Sequence, residues 1–253
     1  MEQHVKTRAD APAGFFAAEA AGLRWLADAH GARTVGVVEA TEERIVLERV
    51  AETPPTAASA EAFGAALAAT HAAGATAYGA APPGWEGDIF IGRRPQPARP
   101  TATWGAFYAA QRVEPFLPIA VAAGNLSASG AELVRRACRL VADGAFDDDE
   151  PPARLHGDLW AGNVLWAPEG VVLIDPAAHG GHRETDLAML ALFGCPFLER
   201  ILAAYDRARP LRAGWRERVP LHQLHPLAVH AAGHGPSYGR ALVDAAEQTL
   251  ALA

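Results

Sequence analysis

Cysteine is scarce: Cys138 and Cys195 are the only two among 253 residues, and no CxxC pair occurs. That excludes a disulfide framework and a thiolate zinc site. Both residues, in helix-like surroundings, are expected to be reduced, buried thiols of a cytosolic protein. Also missing is any run of about 18 apolar residues, the length a helix needs to cross a bilayer. The opening stretch MEQHVKTRADAPAG lacks the apolar centre of a signal peptide, so a soluble, cytoplasmic protein without a membrane partner is expected. Basic charge is in deficit, 22 residues against 29 acidic for a formal charge of −7, and the arginines are scattered. Phosphate-backbone binding leaves a basic footprint, so no nucleic-acid partner is expected. Internal repeats and low-complexity tails are absent too.

What is present is an ordinary globular composition, half apolar and 20% charged, in a chain long enough for one large domain or two unequal lobes. GFFAAEAAGLRWLADAH (14–30) spaces Phe16, Ala20, Leu23 and Ala27 at helical intervals, with Glu19 on a neighbouring face. RTVGVVE and RIVLERV, separated by the turn ATEE, predict an antiparallel hairpin, and HVKTR could add one more strand. Residues 1–50 thus read as a small sheet with one helix. AETPPTAA is a connector, and the rest reads as mainly helical. Ser59 is the expected cap of SAEAFGAALAATHAAG, and SGAE (129–132) is an expected capping box. The Pro/Gly-rich stretch GAAPPGWEGDIFIGRRPQPARPT reads as a long loop, functional or mobile. Four further helices are expected from Glu184 onward.

The chemistry concentrates in RLHGDLWAGNVLW (154–166) and VVLIDP (171–176). NVLW and VVLIDP, joined by the turn APEG, predict a hairpin with Asn163 at its start and Asp175 at its end, and Asp158 in the loop before it. An Asn oxygen and an Asp carboxylate are what Mg²⁺ uses when phosphates and water complete its shell. A separate Asp can accept a proton from an attacking hydroxyl. This is the working set of phosphoryl transfer, and His156-x-Asp158-x₄-Asn163 has the spacing of a kinase catalytic loop, with Gly157 where an arginine usually stands. The alternative is that Asp and Asn merely cap local turns.

HGDLWAGNVLW followed by VLIDPAAHGGHRETDLAML resembles the fructosamine kinase (ketosamine 3-kinase) family, a branch of the aminoglycoside phosphotransferase and protein-kinase-like superfamily. FFAAEAAGLRWL, DIFIGRRPQP, TWGAFYAAQR and WRERVPLHQLHPL extend the resemblance from about Val5 to the last helix. It implies an α+β, two-lobed protein-kinase-like fold, with a truncated N-terminal nucleotide-binding lobe (1–50) and a larger, mainly helical catalytic and substrate-binding lobe (51–253). It implies ATP and Mg²⁺ as cofactors, and ketosamine small molecules or glycated proteins as substrates, phosphorylated on a sugar hydroxyl, the 3-hydroxyl, in deglycation. The alternatives are an aminoglycoside-like acceptor or a catalytically impaired, pseudokinase-like binding protein.

Carried over by position, the resemblance makes Asp158 the base and Asn163 and Asp175 the metal ligands. Lys6 would contact nucleotide phosphates, Glu19 would pair with Lys6, and backbone groups of Glu48 and Val50 would face adenine. Lys6 could instead be a solvated terminal lysine, and Glu19 a surface helix charge. Trp160 would pack on the sugar or amine, unless it is core, and His230 would be a substrate-pocket wall. Asp186, with His156, would support the catalytic loop. His222, His225, His230 and His234 share helical spacing, but no Cys or acidic residue of their segment joins them in a zinc site. Five residues precede Lys6, reaching roughly 17 Å when extended, where the resembled family has a glycine-rich hairpin over the ATP phosphates. Weak activity is the expectation that follows.

Overall fold

Ile45, Val46 and Leu47 are all buried in the strand that organises the N-terminal part. The computed structural model describes residues 2–253, so the first residue of the expected 1–50 lobe lies outside the described residues. Strand β1 (Gln3–Thr7) is followed by α1 (Phe15–Ala27), β2 (Arg33–Thr34), β3 (Val37–Ala40) and β4 (Arg44–Glu48). β1, β4 and β3 form a three-stranded antiparallel sheet in that order. Lys6 stands opposite Ile45 in the register. Opposed residues share a sheet face, and Ile45 packs on Phe16, Ala20 and Leu23 of α1, so Lys6 is aimed at that helix.

RTVGVVE does not form one strand. Arg33–Thr34 pair in parallel with Val172–Leu173, while Val37–Ala40 join the hairpin. Gly36 marks the break, where an added Cβ would lie 2.8 Å from the Glu48 carboxylate.

After the Pro-containing connector come α2 (Ala57–Ala72), a short hairpin β5 (Ile89–Ile91) and β6 (Arg94–Gln96), α3 (Trp104–Phe107), α4 (Leu117–Ala122) and α5 (Ala128–Ala142). The stretch read as a long loop therefore holds a hairpin of its own. Between α3 and α4 the chain runs through a π-helical turn at Tyr108–Val113. Thr56, not Ser59, caps α2; Ser59 is its capping-box partner, its side chain accepting from the Thr56 N–H. Likewise Ser127, not the Ser129 of SGAE, caps α5 by accepting from the Gly130 N–H.

The remaining elements are β7 (Ala153–Leu155), β8 (Val164–Ala167), β9 (Gly170–Leu173), β10 (His179–Gly181), α6 (Arg183–Leu192), α7 (Leu198–Ala208), α8 (Val219–Ala231) and α9 (Pro236–Ala251). The four helices and the β8–β9 hairpin match expectation. No helix is long and apolar enough to cross a membrane, among the described residues. Cys138 is buried in α5, but Cys195 is only partly buried and lies between α6 and α7, contrary to the helix-like, buried site expected for it.

Two larger cores support these elements. In one, Phe63 and Leu67 of α2 meet Ile201 and Tyr205 of α7 and Leu173 of β9; Gly64 lets the helices approach, since a Cβ there would lie 2.2 Å from the Ile201 carbonyl. In the other, α5, α8 and α9 enclose Trp104, Tyr108 and Phe116. Pro226 sits inside α8 and has no N–H for the His222 carbonyl. The Tyr108 hydroxyl takes its place, 2.8 Å from that carbonyl, and accepts from the His225 N–H at 3.0 Å.

His222 and His225 are enclosed here, and burial, the largest cause, pushes them down to about 4 and about 3. An unfolded histidine protonates near ~6.5. Between about 6.5 and about 4 the unfolded chain therefore binds more protons, and the stability held above that window declines as pH falls through it. His222 alone should contribute a decline of ~3 kcal/mol. Urea unfolding should show midpoints dropping between pH 7.5 and 4.5; midpoints that do not move would contradict the neutral buried pair.

Candidate active site

Strand β7 delivers His156, Gly157 and Asp158, and its pairing with β10 holds this turn against the segment that follows Asp175. Gly157 has φ +79°, and a Cβ would lie 2.1 Å from the Ala177 carbonyl oxygen. Only glycine fits, which explains its presence where kinase loops carry arginine. The His156 ring fixes the turn from inside: its Nδ1 accepts from the Asp158 N–H at 3.3 Å, so its Nε2–H donates to the Ile174 carbonyl at 2.9 Å. Asp186, 1% exposed at the start of α6, accepts from the His156 and Gly157 N–H groups at 2.7 and 3.0 Å.

A short 3-10 turn (Ala161–Asn163) then leads into β8. The Ile174 N–H donates to the Asn163 carbonyl at 3.2 Å, so the hairpin puts Asn163 beside the strand end that carries Asp175. Asn163 Nδ2 donates to the Asp158 carbonyl at 2.8 Å and to its carboxylate at 3.2 Å. Among the described residues no donor reaches Asn163 Oδ1. From the other side, Lys6 Nζ donates to Glu19 Oε1 and to Asp175 Oδ1, both at 2.8 Å. Glu19 is buried, so the surface-charge reading of it fails, as does the solvated-lysine reading of Lys6. Lys6 is the only lysine of the chain.

Lys6, Glu19, Asp158, Trp160, Asn163 and Asp175 line one cavity of ≈ 260 Å³, with Phe90 and Gly92 of the β5–β6 hairpin on its outer wall. A second cavity of ≈ 480 Å³ shares Lys6 and Asp175 and extends along His4, Leu47, Glu48, Val50 and Ile174. There the Glu48 N–H already donates to the Gly36 carbonyl and the Glu48 carboxylate accepts from Arg33, whereas the Val50 N–H has no backbone acceptor among the described residues. Of the four groups these two residues offer, the Val50 N–H is thus the open donor.

Burial pushes the Asp158 carboxyl up to about 7; the Asn163 amide opposes this, and the charges of Asp175 and Asp186 add to it. A carboxylate poised near neutrality suits a proton acceptor. Burial works against the Lys6 ammonium, but the Glu19 and Asp175 carboxylates outweigh it and raise its pKa. The donor set fits Mg²⁺. Asn163 Oδ1 and the half-exposed Asp175 carboxylate are hard oxygens facing one cavity, and the Asn163 amide hydrogens point away to Asp158.

Trp160 is 39% exposed, with its ring edge toward Phe193 at 6.0 Å, so it is not a core residue. His230 does not line the Asp158 cavity; it is half-buried against Phe193, His234 and Tyr238 at 4.7–5.0 Å. The four histidines of the last third do not converge. His222 instead joins His182 and Glu184, with ligand-type atoms within 4.8 Å. Hydrogen bonds already hold that group together: Glu184 receives Arg218 at 2.9 and 2.6 Å, and His182 contacts Asp148 at 3.3 Å. Sequence reasoning missed His71 of α2, whose Nε2 lies 3.2 Å from Asp186 Oδ2.

The fructosamine kinase family model matches residues 2–252. The chain belongs to the fructosamine kinase family. It is 36% identical over 239 residues to the probable ketoamine kinase of Thermus thermophilus, covering 94% of this chain and 84% of that protein. A Thermobifida fusca crystal structure assigned as a fructosamine-3-kinase has a TM-score of 0.91 and 49% identity, over 98% of this chain and 85% of that one. A choline/ethanolamine kinase family protein from Mesorhizobium loti has a TM-score of 0.57 at 18% identity, over 99% of this chain and 82% of that one. This last likeness concerns the fold alone. The α+β kinase-like fold is thus in place, and family membership makes the chain a phosphotransferase acting on a sugar hydroxyl with ATP.

Because Gly157 is held by both its φ and its contact with Ala177, Gly157→Ala should displace Asp158 and lower kcat about 100-fold, with far-ultraviolet circular dichroism retained. Wild-type kcat in a folded Gly157→Ala variant would contradict the tight turn.

Proposed function

We propose that this fructosamine kinase transfers the γ-phosphoryl group of ATP to the 3-hydroxyl of ketosamines such as ribulosamine and fructosamine adducts, in cytoplasmic deglycation. The observation that carries the reading is the convergence of Asp158, Asn163, Asp175 and the Lys6–Glu19 pair on one cavity. Residues 1–50 hold the nucleotide and residues 51–253 hold catalysis and acceptor. Adenine lies in the cavity along Leu47 and Val50, where the Val50 N–H donates to a ring nitrogen, and Lys6 meets the phosphates. Asn163 and Asp175 hold Mg²⁺, which supplies charge neutralisation on the phosphates.

Asp158 accepts the proton of the acceptor hydroxyl. The freed oxygen forms the new bond to the γ-phosphorus as the bond to the β,γ-bridging oxygen breaks, and ADP leaves with that electron pair. Trp160 offers its exposed face to the sugar or to the protonated amine beside it. Free adducts and glycated lysines both present this reacting unit.

Coupled ADP release with Mg-ATP should occur with ribulosamine or fructosamine and be absent with aminoglycosides; release with an aminoglycoside and neither ketosamine would overturn the reading. Asp158→Asn should lower kcat about 10²–10⁴-fold while Mg-ATP still binds, whereas Asp175→Ala should weaken Mg-ATP binding itself. Equal loss of nucleotide binding in both folded variants would refute the division of roles. Trp160→Ala should raise the acceptor KM about tenfold and leave the ATP KM unchanged. A variant that merely lowers Tm and affects both substrates alike would make Trp160 structural.

A further inference from the structure

Asp186 receives a third donor besides the two backbone N–H groups of the catalytic loop. His71, in the last turn of α2, brings Nε2 to 3.2 Å from Asp186 Oδ2, and its Nδ1 lies 2.8 Å from the Tyr205 hydroxyl on α7. The His71 side chain is 0% exposed and that of Asp186 1%. Both Asp186 oxygens accept a loop N–H; burial works against the carboxylate's charge, but His71 and His156 outweigh it and lower its pKa.

The direction of each hydrogen bond follows. With the carboxylate oxygens serving as acceptors for the loop N–H groups, the His71 Nε2 beside Oδ2 is the nitrogen that carries a proton. In the neutral ring Nδ1 is then the acceptor, and the Tyr205 hydroxyl donates to it. Tyr205 therefore sets the His71 tautomer. Without the hydroxyl, the alternative tautomer would turn a lone pair toward the carboxylate and repel it. Tyr205 is itself fully buried, with the Arg183 guanidinium 6.0 Å from its ring centroid. Arg183 donates to the Arg209 and Pro210 carbonyls just past α7.

The Asp186 carboxylate has its own χ2 freedom. The Gly157 N–H holds Oδ1, and the His156 N–H and His71 share Oδ2. Fixing the carboxylate plane fixes both loop donors, and Asp158 is the next residue. We infer that His71 and Tyr205 are positioning residues for phosphoryl transfer: a relay from α7 through α2 to Asp186 sets the geometry of the Asp158 turn. This rests on Asp158 being the proton acceptor.

The test uses the full chain and four substitutions. Tyr205→Phe keeps the ring and removes only the hydroxyl. It should lower kcat about tenfold, leave both KM values within about twofold, and speed amide exchange in a peptide spanning residues 153–160. His71→Leu should do the same more strongly, and His71→Gln, which restores an N–H toward Asp186, should recover most of kcat. Leu202→Ala, in the same α2–α7 core, is the stability control: it should lower Tm without a selective loss of kcat or faster exchange in that peptide.

Wild-type kcat and exchange in both Tyr205→Phe and His71→Leu would overturn the inference. So would losses that merely track Tm as in Leu202→Ala, or His71→Gln no better than His71→Leu. Retained turnover in Asp158→Asn would remove the proton-acceptor reading instead, and the exchange comparison would still decide whether the relay holds the loop.

Discussion

One buried carboxylate, that of Asp186, organises the catalytic half of this molecule. A turn that points a carboxylate into a cleft leaves backbone N–H groups without sheet partners, and such groups are costly when buried. Asp186 accepts two of them, from His156 and Gly157, and its placement on α6 links the turn to the helical core. The left-handed φ of Gly157, the His156 bond to Ile174 and the Asn163 bonds to Asp158 each make sense only if that turn is held. Its charge also helps to raise the Asp158 pKa, although desolvation is the larger cause.

The Lys6 side of the cleft depends on sheet register. Lys6 opposite Ile45 faces α1, and one helical position, Glu19, meets it there. A slip of one residue would turn Lys6 to the opposite face. The chain is otherwise rich in arginine, so a lone lysine here is informative: its ammonium is a compact point charge that reaches Glu19 and Asp175 together, where a guanidinium would lock onto one carboxylate in a fixed fork.

The candidate reactive residues were legible because phosphoryl transfer demands particular side chains at short spacing, and HGDLWAGN with VLIDP supplies them within 21 residues, from His156 to Pro176. Local hydrophobic period likewise gave α1, the β3–β4 hairpin and the last four helices. Misreadings came where the deciding partner is distant or where two neighbours could serve. Thr56 and Ser59 are both capping residues, and only the backbone reveals which lies outside the helix. Arg33–Thr34 leave their apparent strand for a partner about 140 residues away. His71 and Tyr205 are separated by 134 positions, and each looks like an ordinary amphipathic-helix residue. The packing of His230 on Phe193, His234 and Tyr238 also depends on how α6, α8 and α9 meet, which periodicity does not encode.

The claim at the centre of this account is transfer from ATP to one hydroxyl of a ketosamine. Phosphorus–proton correlation NMR on a reaction of the chain with Mg-ATP and a ribulosamine tests it most directly. The account predicts one new phosphomonoester, coupled to the proton on C3 and equal in amount to the ADP formed. ADP with inorganic phosphate and no sugar phosphoester, or a phosphoester at another carbon, would contradict it.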